Sequence, residues 1–173
     1  MEDNKQKNQD LNLGSNLYES IAVIFATTLV IFGVILILAD FGFGLDTTIA
    51  YDVPTAAPHE KITELGKGVA IKVMDSSTIC DYRMVQYMKE LAKKHKIKHQ
   101  LEILTGGGTD TAGIQRMNPG GSIAGAVSIP TRHIHQVIEM ADKTDIRSAI
   151  NLLHYSVKGL NKYDWSFKHK TPV

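Results

Sequence analysis

The sequence predicts an α/β domain built on a mixed or parallel sheet flanked by helices. Three observations carry that prediction. Short β-rich runs alternate with stretches of helical period, the joints between them are rich in Gly, Pro, Asp and Ser, and the charge is nearly balanced. Balanced means 19 basic and 18 acidic residues in 173, a formal charge of +1, which gives no electrostatic reason to expect a nucleic-acid partner. The one cysteine, Cys80, excludes an internal disulfide framework and a Cys-rich zinc site. It reads as a small, semi-buried residue.

The elements follow in chain order. Residues 1–20 are polar and read as a disordered tail. Ile21 to Ala39 is an uncharged run of 19 residues, long enough for a membrane-spanning helix. A buried helix or two core strands is the other reading, since Ile and Val abound and Gly33 interrupts the run. Lys5 and Lys7 precede it and no Lys or Arg follows before Lys61, so a span would leave the amino end cytoplasmic. TTIAYDV (Thr47–Val53) is a first strand in the domain and GVAIKVMD (Gly68–Asp75) a second. Asp75 to Thr78 then supply N-cap candidates for a helix from Ile79 to about His95, with Val85, Met88, Leu91 and Ala92 on one face.

HQLEIL (His99–Leu104) is the next strand, followed by Gly106-Gly107-Gly108 and a short helix opening at Thr109-Asp110. AGAVSIP (Ala124–Pro130) runs toward two histidines. If the strand continues, His133 and His135 share a face, as strand residues two apart do. A last helix from about Asp145 to Lys158 has Ile146, Ala149, Ile150, Leu153 and Val157 on its apolar face, with Thr144 as a cap and Gly159 as a stop. The tail 161–173, with Trp165 and Phe167, has no usable period.

Candidate chemistry gathers at strand ends. Asp52 closes the first strand, Asp75 the second, Asp110 follows the third, and His133 with His135 follow the fourth. Ligands in open α/β sheets sit beyond the carboxyl ends of strands, so these groups are expected along one edge. A mixture of carboxylate and imidazole there suits a two-metal hydrolytic centre; taken singly, Asp52 and Asp75 each read first as a cap for the next element. The GGGTD loop (Gly106–Asp110) lacks the Lys-Ser/Thr of a P-loop. It is either a tight strand-to-helix turn or a loop that faces a ligand.

Four stretches, DTTIAYDV, GKGVAIKVMDSSTICDYR, HQLEILTGGGTDTAGI and SIPTRHIH, resemble in order and spacing the dinuclear metallo-aminopeptidases. These are the glutamyl or deblocking aminopeptidases, also called cellulase M, which form tetrahedral dodecamers. The resemblance covers residues 46–160, the carboxyl-terminal part of the family's catalytic domain. It implies a partial zinc-aminopeptidase-like fold, a peptide substrate, two divalent ions (zinc or cobalt) and a cytoplasmic location, or a membrane one if 21–39 spans. By the same resemblance Asp52 would ligate one metal and His135 the other. Gly107, Gly108, Thr109 and Asp110 would border the substrate side, and His133 would be no ligand, since the family often has Tyr there.

The family also needs an upstream His-x-Asp pair, a bridging aspartate and a Glu-Glu pair containing the general base. None of these occurs in the sequence. One ligand per metal is too few for zinc, which takes three or four from protein. The chain alone is therefore expected to be inactive, with no catalytic base of its own. It would be a truncated relative, one half of a split aminopeptidase completed by an amino-terminal chain, or a membrane-tethered binding module. A dodecamer is not expected of it.

Overall fold

The computed structural model describes residues 40–117 and 119–167. The polar lead and the apolar run Ile21–Ala39, read above as a candidate membrane span, lie outside the described residues. Among the described residues no helix is long and apolar enough to cross a membrane.

Strands β1 (Phe41–Ile49), β2 (Val69–Met74), β3 (His99–Ile103), β4 (Ile123–Arg132) and β5 (Met140–Ala141) form one sheet. Its order is β1-β4-β2-β3, with β5 paired to β4. β1 runs parallel to β4 and β2 parallel to β3, but β2 and β4 are antiparallel, with Ala70 opposite Ser128. The sheet is therefore mixed. Helices α1 (Tyr82–Lys94), α2 (Thr111–Met117) and α3 (Lys143–Gly159) complete the described body.

Strand alternation divides the residues between two faces. On one face Val69, Ile71 and Val127 join Met84, Val85 and Met88 of α1 and Ala149 and Leu152 of α3 in the core. Tyr87 of α1 donates to the Ser156 carbonyl of α3, 2.7 Å away, and so ties the two helices together. On the other face α2 lies directly against β1. A Cβ on Gly42 would sit 2.1 Å from Ile114 and one on Gly44 2.0 Å from the Thr111 hydroxyl. Only glycine permits that approach. The tail gains a role the sequence did not suggest: the Trp165 ring packs on Phe41, Tyr87 and Tyr163, and its Nε1 donates to the Leu160 carbonyl.

Several boundaries differ from the sequence expectation. β1 begins at Phe41 and has ended before Asp52. Residues 75–78 do not cap α1; they form a turn that brings Ile79 back against Met74. The cap is Asp81, whose carboxylate accepts from the Arg83 N–H. For α3 the cap is Asp142 rather than Thr144, whose N–H donates to it. Gly159 is the helix's last residue, and a 3-10 turn carries the chain on.

The α3 face turns as well. Ala149 and Leu152 are buried, whereas Ile146, Ile150 and Val157 are exposed. With Leu45 and Ile129 these exposed residues line an open apolar groove of about 650 Å³. Cys80 is buried in the core, and burial pushes its thiol up to about 11.

Candidate functional site

Strand direction decides where the candidate residues go. Because β2 and β4 are antiparallel, the carboxyl ends of β1 and β4 lie at one edge of the sheet and those of β2 and β3 at the opposite edge. Asp52 and the residues after Arg132 stand at the first edge. Asp75 and the GGGTD loop stand at the second. The expectation of a single cluster fails on topology, since a sheet with all carboxyl ends together must be parallel throughout.

At the first edge Asp52 is held by Arg132. The guanidinium donates twice, Nε to Oδ1 at 2.6 Å and Nη2 to Oδ2 at 2.9 Å. The Leu65 N–H adds a third bond to Oδ2 at 2.9 Å. Arg132 holds this carboxyl below the ordinary carboxylate value of 3.8; burial works against that and the Leu65 N–H works with it. The same corner is pinned by the Ala50 N–H on the Thr131 carbonyl and by the Thr63 hydroxyl on the Ile49 carbonyl. Beside it the buried carboxylate of Asp145 accepts the Gly66 and Gly68 N–H groups, both at 2.7 Å.

The histidines do not share a strand face. β4 stops at Arg132 and turns back, with Arg132 opposite Met140 and Thr131 opposite Ala141. His133 and His135 lie in the loop of that hairpin, both with positive φ, 55° and 64°. Both are exposed. The His135 backbone N–H donates to the Glu139 carboxylate.

At the second edge Asp75 is saturated by its own turn. Its Oδ1 accepts the Ser77 N–H, the Ser77 hydroxyl and the Thr78 N–H, each at 2.9 Å. Its Oδ2 accepts the Thr109 hydroxyl at 3.1 Å. Burial alone would raise this carboxyl, but those hydrogen bonds and the nearby Lys72 charge leave it lowered. The glycine loop is clasped to the turn. Ser76 donates through its N–H and its hydroxyl to the Gly107 carbonyl, and a Cβ on Gly108 would fall 2.3 Å from the Ser77 hydroxyl. Gly107, Gly108 and Asp110 are exposed, and Thr109 half-buried. Thr109 and Asp110 also start α2, their carbonyls accepting the Ala112 and Ile114 N–H groups. The loop thus makes the strand-to-helix turn into α2 and leaves Gly107, Gly108 and Asp110 at the surface.

Beneath Asp75 lies a charged network. Lys72 and Glu102, each fully buried, form an ion pair. The Thr48 hydroxyl donates to the same Glu102 oxygen at 2.7 Å, and Lys72 Nζ is 3.6 Å from Asp75. The other Glu102 oxygen has no hydrogen-bond partner among the described residues. Lys72 and Glu102 stand opposite each other in the β2–β3 register. A lysine inside the otherwise apolar β2, with a glutamate in the neighbouring β3, was the available signal.

Among the described residues no group of three or more His, Cys, Asp or Glu side chains is placed to hold a metal ion. The donor set among the described residues does not fit a two-metal centre, because Asp52 is committed to Arg132 and His135 lies in an exposed loop where Glu139 is the carboxylate nearby and no group of three ligands forms.

The sequence profile of the M42 glutamyl aminopeptidases matches residues 3–152. The chain belongs to the M42 glutamyl aminopeptidase family. It is 40% identical over 114 residues to a putative aminopeptidase of Acetivibrio thermocellus, a match covering 66% of this chain and 34% of that one. It is 31% identical over 133 residues to the lysyl aminopeptidase of Pyrococcus furiosus, covering 75% and 38%. Among solved structures it is similar to an aminopeptidase of Desulfurococcus kamchatkensis, with a TM-score of 0.64 and 37% identity over 66% of this chain and 32% of that one. The chain spans about a third of the length of the curated relatives it matches.

Proposed function

We propose that this chain is a carboxyl-terminal portion of an M42-type catalytic domain, of the peptide-hydrolase class, and that it does not cleave peptides by itself. The observation that supports this most is the pairing of family membership with an incomplete donor set. Asp52 and His135 occupy the positions the resemblance assigns to metal ligands, yet no third ligand stands near either among the described residues. Nor does the sequence contain a Glu-Glu pair from which a general base could come. The His-x-Asp pair, the bridging aspartate and the two glutamates must then be contributed by polypeptide other than these 173 residues. The peptide substrate and the zinc or cobalt ions belong to the completed domain.

The test is an aminopeptidase assay on peptide arylamides with added zinc or cobalt. The purified chain is expected to release nothing alone. It is expected to gain activity when mixed with an amino-terminal M42 segment, and Asp52→Ala should remove that gain. Metal-dependent turnover by the chain alone, abolished by Asp52→Ala, overturns the proposal.

A further inference from the structure

Both oxygens of Asp52 are in use, and the group using them is a permanent cation. We infer that in the chain by itself Arg132 takes the place of a metal ion at Asp52, so that without a completing segment this corner of the M42 chain is a metal-free clamp. The inference deepens the reading above, and it rests on hydrogen bonds within the chain rather than on any complementing segment.

Four observations converge. The guanidinium meets the carboxylate with two parallel N–H···O bonds, the fork geometry that makes Arg–carboxylate pairs specific. An arginine keeps its charge throughout the accessible pH range, so the carboxylate always has a counter-charge without a metal. The Leu65 N–H takes a further lone pair of Oδ2 and links the clamp to the approach to β2. The corner is closed around the pair by the Ala50–Thr131 and Thr63–Ile49 hydrogen bonds, which bind the chain on either side of Asp52 to the ends of β1 and β4. A dication arriving at Asp52 would have to displace the guanidinium and then sit beside it, like charge against like. No cluster of other ligands among the described residues offsets that.

The clamp also gives Arg132 a positioning role. It fixes the direction of the chain at the end of β4, immediately before the hairpin loop that carries His133 and His135.

The experiment uses the full chain and reads melting temperature by differential scanning fluorimetry and metal binding by calorimetry with zinc and cobalt chlorides. The melting temperature of the unsubstituted chain is expected to be unchanged by EDTA and by either metal, with no stoichiometric heat of binding. Asp52→Asn and Arg132→Gln should each lower the melting temperature, and the double variant should fall no further than the lower single one, because one interaction is lost in all three. Arg132→Lys, which keeps the charge but not the fork, should fall between the unsubstituted chain and Arg132→Gln, and it serves if the stronger variants fail to fold. Stoichiometric zinc or cobalt binding that raises the melting temperature and is lost in Asp52→Asn overturns the inference. So do additive losses in the double variant. Neither readout is peptidase activity, so a failed complementation assay leaves this inference standing, and a failed clamp leaves that assay to be judged on its own.

Discussion

The two edges of the sheet handle an aspartate in opposite ways. Asp75 is buried and saturated by residues two or three positions away, helped by Thr109, and sits above the Lys72–Glu102 pair. Asp52 is bound by a residue 80 positions away, through a guanidinium about a third exposed. A local turn can be built from a short word of sequence; a clamp across the sheet depends on the order of its strands. Removing a charge should therefore cost much more at the Asp75 edge, where water cannot reach the group left behind, than at the Asp52 edge.

The sharpest way to break the comparison is Lys72→Met. It strands the Glu102 carboxylate, and Asp75 beside it, without a cation in a fully buried site. Losing one partner of such a pair costs about 3–5 kcal/mol. Urea denaturation should show that loss, with part of it recovered in Lys72→Met/Glu102→Leu. An unchanged midpoint would mean the network is hydrated. Next comes Asp75→Ala, which removes the acceptor for Ser77, Thr78 and Thr109 and should cost about 2 kcal/mol in the same assay.

A smaller effect concerns acid. Asp52 and Asp75 are both held below 3.8 in the folded chain, so each adds stability above that value and loses it as pH falls through its lowered folded value. The melting temperature should decline from about pH 5 downward. Asp52→Asn should flatten only part of that decline, leaving the Asp75 share. A decline that vanishes altogether in Asp52→Asn would remove Asp75 from the account. Least of all should follow from His135→Ala, an exposed loop substitution expected to shift stability by less than about 0.5 kcal/mol. A larger loss in the presence of zinc than in EDTA would show that the loop does take a metal.

Much of the sheet was legible in the residues. GVAIKVMD, HQLEIL and AGAVSIP each contain a strand to within a few residues, because their β-branched runs are bounded by turn formers. Family kinship was legible too, through DTTIAYDV, the MDSS turn, GGGTD and IPTRHIH. What was not legible was direction. The antiparallel contact of β2 with β4 leaves no local mark, and it alone sends Asp52 and Asp75 to opposite edges. The same blindness hid the partner of Asp52, although Arg132 stood inside the motif that drew attention to the histidines. On α3 the most apolar stripe was read as the buried one; Ala149 of that stripe is buried, but Ile146, Ile150 and Val157 are exposed and Leu152 is buried in their stead, with Asp145 turned in toward the Gly66 and Gly68 amides. A small residue lets the helix approach the sheet, which hydropathy does not record.

The lone thiol has a practical consequence. Cys80 sits in the core beside the α1 residues that hold the sheet, and its proton is held tightly. A sulfhydryl reagent can reach it only while that region opens, so the rate of alkylation counts openings directly. The chain thus carries a timer for its own breathing, with no engineered label required. Comparing that rate between Lys72→Met and Arg132→Gln would show which of the two edges keeps the interior closed.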